Sequence, residues 1–285
     1  MSIWYVQAIN GLSYGMLLFL LAAGLSLMFG LMNIVNLAHG SYYMLGAYVG
    51  ISVGRSSGSF LLAIVSAAAS VLVLGMLMQR YVLRRLHENH LGQVLLTFGF
   101  VFMIADVSLL FWGGYPLNLP TPPLFQGATS MGTITFPTYR LLVIGVGLLV
   151  ALFLWWFQEG TRTGSAVRAA VDDDEMSQSI GLNVPLTSTV VFGIGAALAA
   201  IGGVIGAPFI GAYPGVDFEV LMLAFVVVII GGLGSLRGAF VGAILVGLLD
   251  NFGKALFPDF SVFTVFAPMA IILAIRPSGL FGRAS

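Results

Sequence analysis

Residues 1–54 contain no Lys, Arg, Asp or Glu. A stretch that long, with no charge to hold it at a water surface, reads as membrane structure. A secretory signal peptide would carry a basic region ahead of its apolar core. The first cation here is Arg55, so the N-terminal stretch is expected to be retained. Further charge-free runs cover 56–79, 89–105, 107–139, 141–158, 176–216, 220–236 and 260–275. A helix needs about 20 apolar residues to cross a hydrocarbon core roughly 30 Å thick, and several runs are long enough. None shows the apolar–polar alternation of an outer-membrane strand. Composition closes the remaining routes. Charged residues make up 8% of the chain, against about 25% in soluble domains. A hydrophobic content of 59% excludes disorder. With no Cys, disulfides, thiol catalysis and Cys-ligated metals fall away, and three His give little for a His-built metal site.

The fold class is therefore all-α and polytopic, one transmembrane domain over 1–285. The spans fall at roughly 11–32, 33–54, 59–79, 91–112, 140–157, 186–211, 220–234, 238–253 and 261–275. The seventh and eighth are short and separated by Gly231-Gly232-Leu233-Gly234-Ser235. They are either two crossings or two half-helices forming a re-entrant pair, which gives seven to nine spans. Lys and Arg in short loops set the orientation. Arg80, Arg84, Arg85, Arg162, Arg168, Arg237, Arg276 and Arg283 fall on one side of this threading, and Arg55, Arg140 and Lys254 on the other. The richer side is cytoplasmic, which puts the C-terminus inside and the N-terminus in the periplasm.

Two connections are sizeable. Residues 113–139 hold five Pro and no Lys, Asp, Glu or Arg; this external segment is either an ordered cap over a cavity or a stiff loop. Residues 158–185 are polar, charged and cytoplasmic. From Ser165 to Ser179 they are helix formers without Gly or Pro, and Gly181 and Pro185 close the stretch. Ala166, Ala169, Ala170, Met176 and Ile180 can share one face, with Asp172, Asp173, Asp174 and Glu175 on the other. Such a helix either sits in another protein's groove or is a solvated linker.

Inside the membrane, Asn33, Asn36 and His39 open the second span. Polar side chains at that depth face a bundle interior or hydrated cavity, or staple neighbouring helices. Shifting the chain by 192 residues aligns Gly40 and Gly46-Ala47-Tyr48-Val49-Gly50 with Gly232 and Gly238-Ala239-Phe240-Val241-Gly242. Gly-interrupted spans in two halves point to a transporter's central pathway; close helix packing is the competing reading. On the pathway reading the candidates are Asn33, Asn36, His39, Gly40, Gly46, Gly232, Gly234 and Ser235. Asp106 lies well inside the fourth span and Asp250 near the outer end of the eighth; interfacial or helix-pairing roles suit both.

Four segments recur together, in this order, in one group of proteins: GLMNIVNLAHGSYYMLGAYVG at 30–50, RAAVDDDEMSQSIGLNV at 168–184, GGLGSLRGAFVGAILVGLL at 231–249 and RPSGLFGR at 276–283. The chain resembles, over nearly its whole length, the permease subunits of branched-chain (hydrophobic) amino acid ABC importers, and is similar to the shorter of their two paralogous permeases. The resemblance implies a translocation pathway formed with a second, longer permease, a periplasmic substrate-binding protein, and two cytoplasmic ATPases in the inner membrane. It also implies that Arg168, Ala169, Asp172, Asp173, Asp174, Glu175 and Gly181 belong to a coupling helix that docks on an ATPase. The four consecutive acids exceed what the family leads one to expect.

No G-x-x-x-x-G-K-[ST] phosphate loop is present, so ATP and Mg are expected in partner subunits and no cofactor in this chain. H-E-x-x-H and nucleophile–base constellations are missing as well, and nothing suggests nucleic acid. The substrate is expected to be a branched-chain or other hydrophobic amino acid. Urea, short amides or another small organic solute are the alternatives within the family, and a gradient-driven transporter or channel the alternative outside it.

Overall fold

The computed structural model describes residues 2–32, 36–86, 89–131 and 134–282, with the backbone alone at 2, 3, 131, 134, 172, 174 and 175. Asn33 lies outside the described residues. Most of the described chain is helical. Helix α1 (Ser2–Met32) is uncharged throughout. The helices α2 (His39–Ser57), α3 (Phe60–Tyr81), α4 (His90–Trp112) and α5 (Tyr139–Gly160) follow. Two short helices, α6 (Arg162–Asp172) and α7 (Asp174–Ser179), precede α8 (Val184–Gly206), α9 (Val216–Gly231), α10 (Leu236–Leu256) and α11 (Ser261–Ile275). Polar caps set several starts: the Ser59, Asn89, Asn183 and Ser235 side chains accept from Leu62, Gly92, Leu186 and Gly238 backbone N–H groups, meeting donors that lipid cannot satisfy.

Among the described residues, seven helices are long and apolar enough to cross a membrane: α1, α3, α4, α5, α8, α10 and α11 with their short extensions. The chain is thus an all-α, multi-pass membrane protein. Helices α2, of 19 residues, and α9, of 16, are not among these seven. The pair expected to be short at 220–253 divides: α9 is short, whereas α10 crosses over 21 residues. The expected span 186–211 stops at Gly206, because Pro208, Gly211 and Pro214 interrupt any continued helix.

The core is a seam of small residues. Helices α1 and α8 hold the centre, with 78% and 83% of their apolar windows buried, against 6% for the last span. Gly11 and Gly15 of α1 meet Gly247 and Ala243 of α10, Gly24 meets Gly195 of α8, and Gly46 and Gly50 of α2 meet Ala200 and Val204 of α8. Without a hydrophobic drive between helices in lipid, such backbone proximity supplies the dispersion contacts that hold them.

Following the turns gives the bundle two ends. Met32, Tyr81, Gly160, Gly231 and Ile275 close helices at the arginine-rich end. There Arg237 pairs with Glu159 at 2.6 Å. The opposite end carries 113–138, where β1 (Ala128–Met131) and β2 (Ile134–Pro137) form an antiparallel hairpin with Thr129 opposite Phe136. This connection is ordered against the body: Leu117 exchanges backbone bonds with Ala212, and Arg55 donates to the Asn118 carbonyl at 2.7 Å.

Candidate functional site

Helices α2 and α9 meet at their N-terminal ends inside the bundle. His39 Nε2 lies 2.9 Å from the Leu21 carbonyl. Leu21 is eleven residues before the end of α1, about 16 Å along its axis at 1.5 Å per residue. Residues 36–39 therefore lie back inside the bundle, beside the middle of α1, before α2 proceeds. Asn36 shapes that return, accepting from the Ala38 N–H at 3.0 Å and donating to Met28 Sδ at 3.6 Å. Its side chain staples α1 to the start of α2. From the other end, 207–215 carries the chain inward before α9 starts. A Cβ on Gly40 would run into the Asp217 carbonyl and crowd Leu221, so the first turns of α2 and α9 lie side by side. Ser41 Oγ donates to Asp217 Oδ2 at 3.1 Å.

A helix N-terminus carries partial positive charge and unpaired N–H groups. Two of them converging explain why a carboxylate, Asp217, is 2% exposed here. The His39 ring is fully buried, and its Nδ1 has no hydrogen-bond partner among the described residues.

The structure separates the remaining pathway candidates. Gly46 packs on Ala200, one and a half turns from Gly40. Gly232, Gly234 and Ser235 lie at the arginine-rich end, in the turn from α9 to α10. Gly232 holds φ 105° and abuts Gly282; Gly234 abuts Gly30; Ser235 caps α10. The C-terminal segment closes over this turn, with Leu280 and Phe281 donating to the Ile230 and Gly231 carbonyls, each at 2.9 Å. That contact joins the third and fourth sequence motifs. Asp106 faces outward on α4 without an ion pair among the described residues. Asp250 is buried and pairs with Lys254 at 2.7 Å.

At the arginine-rich end the expected helix over 165–179 is two helices. Asp173 breaks it: its backbone is extended at φ −156°, and Oδ1 accepts from the Met176 N–H at 2.9 Å, capping α7. The break divides the apolar face. Gly164, Val167, Ala170 and Ser177 turn inward, whereas Met176 and Ile180 point outward. Arg168 is half-buried and its Nη1 lacks a partner among the described residues; Ala169 accepts from the Asp173 N–H through its carbonyl. Gly181, at φ 90°, ends α7 in the left-handed conformation that a side chain disfavours. The side chains of Asp172, Asp174 and Glu175 are not among those described.

Sequence reasoning missed a cavity of about 270 Å³ at the hairpin end, lined by Tyr14, Arg140, Glu219, Asp250, Asn251 and Lys254 together with apolar residues. The available signal was charge: Arg140, Glu219 and Lys254 interrupt long uncharged runs, yet lie far apart in sequence. It also missed Ser41 and Asp217, which nothing local distinguishes.

Comparison with known proteins bears on the whole chain. Residues 7–275 match the family model described as the branched-chain amino acid transport system permease component. The chain is 30% identical, over 97% of its length and 95% of the relative's, to the high-affinity branched-chain amino acid transport system permease protein BraD of Pseudomonas aeruginosa. Against the permease protein LivH of the same kind of system in Escherichia coli it is 29% identical with the same coverage. It is 27% identical to LivM of Escherichia coli, over 93% of this chain and 68% of that protein. No solved structure matches it.

Proposed function

The chain belongs to the branched-chain amino acid transport permease family, and from that premise we propose that it is a permease subunit of an ATP-driven, binding-protein-dependent importer of branched-chain or other hydrophobic amino acids. One observation carries the reading: the match runs nearly end to end with two permeases of such systems, at 95% of the length of each. Coverage of only 68% of LivM favours the shorter permease type, with a longer permease as partner. Two cytoplasmic ATPases that bind ATP and Mg, and a periplasmic binding protein, complete the machine. The arginine-rich end faces the cytoplasm of a bacterial inner membrane by the charge bias of its loops. This leaves the C-terminus inside and the N-terminus in the periplasm.

The junction of α2 and α9 suits a pathway in which two helix N-termini abut and shift against each other. The α6–α7 segment suits ATPase docking, since Met176 and Ile180 stand exposed beside the acidic run. The test is uptake of radiolabelled leucine into vesicles holding the assembled importer and its binding protein. Uptake should require ATP. Uptake that persists without ATP under an imposed ion gradient would overturn the reading. Reversing Asp172, Asp173 and Asp174 to Lys should abolish the coupled ATPase activity; unchanged coupling would return the segment to a solvated linker.

A further inference from the structure

The cavity at the hairpin end holds one cation and one anion that are not spent on each other. Asp250 and Lys254 pair at 2.7 Å and neutralise one another. Arg140, in the first turn of α5, has no carboxylate within ion-pair distance among the described residues. Its guanidinium lies 5.0 Å from the centre of the Phe209 ring. Stacked on a ring face, a guanidinium keeps its N–H edge for a planar anion. Glu219, in the first turn of α9, uses Oε2 to accept from the Tyr213 hydroxyl at 2.7 Å. Its Oε1 has no partner among the described residues. Ile210, Val220 and Leu223 supply a carbon wall.

Small-molecule sites run from about 300 to 1,000 Å³, so a cavity of about 270 Å³ suits something smaller than a drug-sized ligand. We propose that this cavity is an entry site for an apolar amino acid in its zwitterionic form, with the carboxylate on Arg140, the ammonium on Glu219 and the side chain against Ile210, Val220 and Leu223. The site rests on the importer reading and deepens it. A zwitterion satisfies both charges at once; a simple acid or amine leaves one of them unpaired in a half-enclosed space. Urea and short amides, which carry no charge, satisfy neither. Glu219 and Asp217 share the first turn of α9, about 200° apart around its axis, so the cavity and the α2 junction lie on different faces of one helix.

The chain has no Cys, which makes a direct test available. Asn251→Cys places one thiol on the cavity wall, and its labelling by a water-soluble methanethiosulfonate is followed on the permease band of the assembled importer in nanodiscs, without binding protein. Leucine should slow labelling; isoamylamine, lacking the carboxylate, and 4-methylpentanoate, lacking the ammonium, should not. In Arg140→Gln and Glu219→Gln backgrounds the leucine concentration giving half-protection should rise about tenfold or more, and Arg140→Lys should recover part of it. Absent labelling, labelling indifferent to leucine, equal protection by either analogue, or unchanged protection in both Gln variants would overturn the site. A zwitterionic lipid headgroup carries the same two charges, so nanodiscs are made with and without phosphatidylethanolamine. Protection by that lipid in place of leucine also overturns the site. ATP-driven uptake without protection defeats the cavity alone, whereas protection without ATP-driven uptake defeats the importer reading alone.

Discussion

The segments GAYVG at 46–50 and GAFVG at 238–242 are nearly the same five residues, yet they serve different contacts. In α2, Gly46 and Gly50 face Ala200 and Val204 of α8, a helix far away in sequence that runs in the same direction. In α10, Gly238 and Gly242 face Gly231 and Val227 of α9, the helix just before it, running the opposite way. Both pairs present the small-xxx-small stripe that lets backbones approach. The upstream glycines differ further. Gly40 lies at the junction deep in the bundle, whereas Gly232 forms a turn beneath the C-terminal segment. The likeness marks a packing device used twice; it does not mark two equivalent places.

The largest test of that comparison replaces the stripe itself. Gly46→Leu and Gly242→Leu should each cost about 3 kcal/mol, the upper end for overpacking, seen as loss of mature protein from the membrane fraction. If Gly46→Leu alone is tolerated, α2 and α8 are not in the close contact described. Next come the upstream glycines. Gly40→Ala and Gly232→Ala should each lose about 1–3 kcal/mol of stability in thermal melts of the detergent-purified protein. Removing 276–285 should shrink the Gly232→Ala penalty, because Gly282 no longer crowds the new Cβ, and leave the Gly40→Ala penalty unchanged. Equal effects on both would mean that the two glycines share an environment after all. Smaller still, Ser235→Ala should cost about 1 kcal/mol by removing the α10 cap. The smallest effect belongs to Gly99→Ala on outer helix α4, where an added Cβ meets nothing within 4 Å. Its stability in the same melts should stay within about 0.5 kcal/mol of the parent's.

Much of the architecture was legible because the bilayer acts on each segment separately. Arg80, Arg140 and Arg237 lie close to helix ends, as the charge map expects. Ser165–Ser179 reads as one helix because no Gly or Pro interrupts it. The break at Asp173 arises because the same carboxylate that suits a helix surface also caps a new one. The return of the chain after Met32 was legible only as an oddity, three polar residues at the start of a span. What two of them bind, the Leu21 carbonyl at His39 and Met28 Sδ at Asn36, lies in the preceding helix and carries no sequence mark. The cavity was legible only as scattered charges, since its walls come from α1, α5, α9, α10 and the 207–215 connection.

By itself the sequence determined that this chain lives in a bilayer and is helical, and four ordered motifs set its kinship. Those properties follow from local free energies of transfer, which each stretch of about 20 residues carries within itself. Only the tertiary structure decided which glycines touch, that α2 and α9 abut at their N-termini, and that Arg140 and Glu219 share a cavity. These depend on contacts such as Ser41 with Asp217, 176 residues apart. A contact energy belongs to two segments jointly, and no composition of either one contains it.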